Sequence, residues 1–153
     1  MREAGRISAR ALRLAGEAVA PGVTTEELDR IAEEAIRAEG AVPAFLGYHG
    51  FPKTLCTSVN HQVVHGIPSR SVRLAEGDII SIDVGAIFEG YFGDNAKTFG
   101  VGAIAEEAQR LLDVTSASLE AGVAACRPGG KLNDIGAAVQ GVAEGAGFSV
   151  VRE

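Results

Sequence analysis

Tryptophan is absent from the 153 residues, and the aromatic set is only two Tyr and six Phe. A core here cannot lean on large rings, so the 46% hydrophobic content must pack as Ala, Val, Ile and Leu. Cysteine is equally scarce. Cys56 and Cys126 lie far apart without metal-ligand spacing, which excludes a disulfide framework and suits a reducing cytoplasm. No apolar run approaches the ~18 residues of a membrane span. The opening "MREAGRISAR" is too charged for a signal peptide. Basic clusters are missing too: 14 Lys and Arg are scattered among 20 Asp and Glu, for a net charge of -6. That speaks against a nucleic-acid or anionic-membrane partner, which needs a basic face. The length suits one domain and is too short for two comfortable ones.

What is abundant is glycine, at 20 residues, and it punctuates the chain. Residues 3 to 19 place Ile7, Ala11, Leu14 and Ala18 on one helical face, ended by Pro21-Gly22. A second helix opens with Thr24-x-x-Glu27, a capping box. It carries Leu28, Ile31, Ala32 and Ala35 on one stripe and closes at Gly40. "AVPAFLGYHGFP" (41 to 52) reads as a loop. Strands are expected over 54 to 60, 62 to 67, 78 to 88 and 91 to 100. Helices then follow over about 105 to 124 and 132 to 146, and "FSVV" reads as a closing strand. A shift of 107 residues lays Pro21-Gly22 on Pro128-Gly129, Leu28 on Ile135, Ala32 on Val139 and Gly40 on Gly147. This pattern predicts a structural duplication. On this reading the chain is one domain, 1 to 153, with a first half-unit over about 1 to 100 and the start of a second over 101 to 153.

The chemistry concentrates in "DIISIDVGAIFEGYFGDNAKTF". With Glu89-Gly90 as a two-residue hairpin loop, Phe88 faces Tyr91, Gly85 faces Asp94 and Asp83 faces Ala96. Alternation puts Asp83 and Asp94 diagonally on the same face, with Cβ atoms ~7 Å or less apart. Ile80, Ile82 and Val84 make the other face apolar. Two carboxylates that close repel unless a cation lies between them. Gly85, opposite Asp94, is expected to leave room for something larger than a side chain. The competing reading, two solvated strand aspartates, fits the apolar "IISIDV" context poorly. Glu26, Glu27, Glu33 and Glu34, by contrast, read as a solvated helix face.

"TTEELDRIAEEAI", "FLGYHGFPKTLCTSVNHQVVHGIP", "GDIISIDVGAIFEGYFGDNAKTF" and "RPGGKLNDIGAAVQGVAEGAGFSVVRE" resemble the type I methionine aminopeptidases of metallopeptidase family M24. The resemblance runs across essentially the whole chain. It implies an α+β pita-bread fold, with an antiparallel sheet covered by two helix pairs, whose second pseudo-symmetric half is largely missing here. It implies two divalent metal ions (Co, Mn, Fe or Zn), with Asp83 as a bidentate ligand and Asp94 bridging both. It further implies that His65 of "HGIP" contacts the substrate beside the metals and serves in catalysis. Tyr48, Phe51 and Cys56 would line the pocket for the methionine side chain. His49 reads equally as a pocket-rim residue or a loop residue, and His61 as a solvated turn residue.

The implied activity is removal of the N-terminal methionine from peptides and nascent proteins, by a cytoplasmic monomer that visits the ribosome transiently. The family's remaining ligands, a histidine and two glutamates, would lie beyond "FSVVRE". The chain is therefore expected to be a piece shortened at both ends, and inactive by itself. Three positions depart from the family pattern: Phe45 replaces a smaller residue, Gly85 a hydroxyl residue, and Phe92 a histidine. A prolidase-like or creatinase-like M24 peptidase is one alternative, and a non-catalytic pita-bread binding module is another.

Overall fold

The computed structural model describes residues 1–151. The chain divides into two compact units, Met1–Ile104 and the segment from Ala105 onward. In the first unit, α1 (Arg2–Glu17) and α2 (Thr25–Ala38) precede a short strand β1 (Val42–Pro43). Strands β2 (Leu55–Val59), β3 (Ile79–Phe88) and β4 (Tyr91–Gly100) follow.

Thr24 closes the expected capping box. Its hydroxyl accepts the Glu27 N–H at 3.3 Å, while Glu27 accepts the Thr24 N–H at 2.7 Å. This satisfies two of the donors that every helix start leaves free. Exposed pairs Arg30–Glu34 and Arg37–Glu33 lie one turn apart on the outer face, as expected of solvated glutamates.

Strand β3 is the spine of the sheet. All its pairings are antiparallel: β4 runs along one edge, and β1 and β2 share the other. Glu89 and Gly90 both have positive φ, 50° and 79°, which is the type I′ geometry of a two-residue hairpin loop. The register is the one expected, with Phe88 on Tyr91, Gly85 on Asp94 and Asp83 on Ala96. Ile80, Ile82, Val84 and Ala86 alternate onto the face packed by the helices and are fully buried with Ile7, Ala11, Leu28, Ala32 and Ile36. Gly93 lets β4 approach α1, because a Cβ there would collide with the backbone of Ala4. Burying each large aliphatic side chain in such a core is worth about 1.5–3 kcal/mol.

Two expected strands do not form. Residues 62 to 67 are irregular: the run "QVVHGI" looks like a strand but leaves Val63, Val64 and Ile67 exposed. It meets β2 at its two ends: Gln62 exchanges hydrogen bonds with Val59, and the Gly66 carbonyl accepts the Thr57 N–H at 2.7 Å. "FSVV" (148 to 151) is likewise not a strand, having no strand partner among the described residues. Arg152 and Glu153, the end of the "FSVVRE" stretch, lie outside the described residues.

The second unit holds α3 (Glu106–Ala125) packed on α4 (Leu132–Gly145). An offset of 107 residues carries Thr25–Ala38 onto Leu132–Gly145, and the helix-ending pair Gly40 and Gly147 both have positive φ. The Asp134 carboxylate accepts the Lys131 N–H at 2.9 Å, repeating half of the first capping box. The packing is not repeated: Leu119, Val123 and Leu132 remain exposed.

Candidate functional site

Strand parity sends Ser81, Asp83 and Gly85 to the face away from the helices, and the register sets Asp94 beside Gly85. Cys56 pairs with Asp83 across β2 and β3, so its thiol points to the same side. Cys56, Asp83 and Asp94 form the floor of an open cavity of about 590 Å³. The segment 45 to 52 supplies one wall through Phe45, Tyr48, His49 and Phe51, while His65 and Ile67 stand on another side. Asp83, Asp94, His65, Tyr48, Phe51 and Cys56, widely separated in sequence, therefore all line one cavity.

The walls are fixed by backbone chemistry. Asp29 on α2 is buried, and its Oδ1 accepts the N–H groups of Thr54 and Leu55 at 2.9 and 2.8 Å. That clamp sets the entry to β2 between Phe51 and Cys56. Lys53 caps the same corner through an ion pair with Glu26 at 2.9 Å. On the other side, Gly66 donates its N–H to Ser58 Oγ at 3.2 Å while accepting from Thr57. A Cβ on Gly66 would collide with the Thr57 carbonyl, so only glycine permits this docking. The adjacent His65 is exposed and holds φ at 59°, a left-handed conformation that costs a non-glycine residue energy. His49, on the opposite wall, is also left-handed at φ 46° and stacks edge-on against Tyr48.

The electrostatics fit a cation. Burial pushes the Asp83 carboxyl up from its ordinary value. The charge of Asp94 and the proximity of its carboxyl, within hydrogen-bonding reach, push it further, and His65 opposes weakly. Three buried side-chain oxygens lack a hydrogen-bond partner among the described residues: Thr54 Oγ1, Thr57 Oγ1 and Asp83 Oδ1. A hydroxyl can reorient, but a carboxylate oxygen only accepts, so Asp83 Oδ1 calls for a donor or a cation from outside. Among the described residues no Lys or Arg is ion-paired with Asp83 or Asp94. Hard oxygen donors of this kind suit divalent ions. The set is partial, because the described residues contain no group of three or more His, Cys, Asp or Glu able to hold a metal. The Cys56 thiol is pushed up to about 11, chiefly by burial and then by Asp83 and Asp94. It is a neutral wall rather than a nucleophile.

Two features of the site escaped the sequence pattern. Phe45 sits over Gly85, so the room expected opposite Asp94 is taken partly by a ring and by the Ala44 methyl. The Asp29 clamp was hidden because its partners lie 25 and 26 residues away.

A family model described as metallopeptidase family M24 matches residues 1–153. Methionine aminopeptidase from Clostridium acetobutylicum is 49% identical over 153 residues, covering 100% of this chain and 61% of that protein. The crystal structure of methionine aminopeptidase from Rickettsia prowazekii superposes with a TM-score of 0.96 at 43% identity, over 99% of this chain and 61% of its own. That from Thermotoga maritima gives 0.98 at 38% identity, over 100% and 61%. The fold is thus the pita-bread fold of these aminopeptidases, and the chain spans about three fifths of the length of the relatives it matches.

Proposed function

We propose that this chain, which belongs to metallopeptidase family M24, carries the substrate pocket and two metal-holding carboxylates of a methionine aminopeptidase. The observation that carries the reading is the unpartnered Asp83 Oδ1, buried beside Asp94 on the floor of a largely apolar cavity. The 49%-identical relative bearing that name supports it, and the prolidase-like and non-catalytic alternatives are not favoured.

Asp83 and Asp94 would hold the ions, two in number and drawn from Co, Mn, Fe or Zn, with both carboxylates ionised once a cation offsets their repulsion. When bound, the ions would supply Lewis-acid activation of water and of the scissile carbonyl. His65, at the rim, would hydrogen-bond the scissile amide and orient it over the carboxylates, a role that neutral imidazole suits. Tyr48, Phe51 and Cys56 would receive the methionine side chain. Two flat rings and an un-ionised thiol favour a slender, polarisable thioether over a charged or β-branched group. His49, edge-on to Tyr48, would steady that ring. The substrate would be the N-terminal methionine of peptides and nascent proteins, met in the cytoplasm by a monomer that visits the ribosome transiently. Residues 1 to 153 would form one domain, its two units being successive parts of a duplicated fold.

The test is Asp94→Asn in the full-length protein. Metal-dependent release of methionine from Met-Ala peptides should fall by at least about 100-fold, because a neutral amide cannot replace a ligand carboxylate. Activity equal to the parent would remove Asp94 from the site.

A further inference from the structure

Gly85 is a glycine in an ordinary place. It lies mid-strand and is not among the residues with positive φ, so its backbone conformation does not require glycine. What excludes a side chain is space. A Cβ on Gly85 would lie 2.7 Å from Cε1 and 3.2 Å from Cδ1 of Phe45, and 2.8 Å from the Ala44 Cβ. Carbon atoms pack no closer than about 3.5 Å at equilibrium. The neighbours are brought there by the sheet: Pro43 pairs with Ala86, and the Ala44 N–H donates to the Gly85 carbonyl at 2.9 Å. The chain then crosses β3 and lays the Phe45 ring over Gly85.

The same ring lines the cavity with Asp94, the direct cross-strand partner of Gly85, and with Asp83 and Cys56. The geometry points to Phe45 and Gly85 as a matched size pair that sets the width of the pocket beside the aspartates, with Phe45 the residue that limits which first-residue side chains enter. This rests on the aminopeptidase reading above and adds to it which residue sets the size limit. The missing side chain at 85 lets the ring lie flat against the strand. A larger residue at 85 pushes the ring out into the cavity, and a smaller residue at 45 opens a space next to the carboxylates. In this protein the pocket is therefore bounded by a ring whose seat is a glycine, and neither position can change alone without changing the slot.

The experiment is a kinetic panel on the full-length, metal-loaded protein with Met-Ala-Ser, Leu-Ala-Ser and Phe-Ala-Ser. Phe45→Ala should raise kcat/KM for Phe-Ala-Ser relative to Met-Ala-Ser by roughly tenfold or more, the scale on which apolar pockets discriminate. Gly85→Ala should raise KM for Met-Ala-Ser, and adding Phe45→Ala should restore it in part. Melting temperatures of the two single variants and the double variant supply a second readout. Matched residues give a non-additive cycle in which Phe45→Ala recovers about half of the loss from Gly85→Ala, the Ala44 contact accounting for the rest. A parent protein that cleaves none of the peptides overturns the aminopeptidase reading, and this inference with it. A parent active on Met-Ala-Ser, with the Phe45→Ala ratio unchanged, overturns the specificity role alone. Additive melting shifts overturn the pairing.

Discussion

Asp29 carries a carboxyl into the interior, and among the described residues no Lys or Arg is ion-paired with it. Its stabilising partners are two backbone N–H groups, those of Thr54 and Leu55. Burial raises its pKa, and the two N–H groups and Lys53 pull it back only in part. An acid whose folded pKa lies above its unfolded value binds more protons when folded, so stability falls as pH rises through that window. Above the window the ionised carboxylate bears the full cost. Asp29→Asn keeps an acceptor for both N–H groups without the charge. Urea unfolding should place it within about 1 kcal/mol of the parent at neutral pH, and its stability should gain on the parent's as pH rises from acid to neutral. Asp29→Leu leaves two buried N–H groups unpaired and should cost about 2 kcal/mol or more at either pH. Equal stability of the Leu variant would show that the clamp does not hold the pocket wall. The residue was not legible as a clamp. A charged side chain flanking an apolar helical stripe reads as solvated, and only the fold reveals which N–H groups it meets. Asp83 and Asp94 were legible because a two-residue turn fixes parity, and parity alone puts two side chains on one face.

Among the elements, the β3–β4 hairpin and the capped helices were readable because their signals are local: Glu89-Gly90 for the turn, Thr24 and Glu27 for the cap. The segment 62 to 67 was misread for a complementary reason. Its β-branched composition mimics a strand, yet it meets the sheet only locally, at Gln62 on Val59 and at Gly66, whose role is set by a distant carbonyl. The Gly66 contact carries a consequence for His65. Gly66→Ala cannot keep the Thr57 bond without shifting, so the loop must lift and take His65 with it. In the full-length protein kcat/KM on Met-Ala peptides should fall by about 100-fold, the usual result of misplacing a substrate contact by an ångström. The amide of Thr57 should also exchange faster with solvent. A drop equal to that of His65→Ala, with Asp83-dependent metal binding retained, would place the effect in the loop. Unchanged activity would detach Gly66 from the site.

At the scale of the whole molecule, helix bounds and positive-φ glycines recur at the 107-residue offset that the sequence pattern predicts, while the burial of the two helix pairs differs. The first pair covers a sheet. In the second, Leu119, Val123 and Leu132 stay exposed among the described residues. Two aspartates offer at most four oxygens, whereas two divalent ions of coordination five or six call for roughly twice as many donors. The further ligands that the resemblance implies would lie in the part of the relatives that this chain does not span. Calorimetric titration with Mn(II) should therefore show weak binding to residues 1–153, abolished by Asp83→Asn. The full-length protein should bind at least about tenfold more tightly, a difference of 1.4 kcal/mol. Equal affinity in the two proteins would mean that the aspartate pair alone makes the site, and the added donors would have to be dropped from the scheme. Binding to the chain that survives Asp83→Asn would move the ion away from the β3–β4 face altogether, and the buried Oδ1 would have to be met by a hydrogen-bond donor instead.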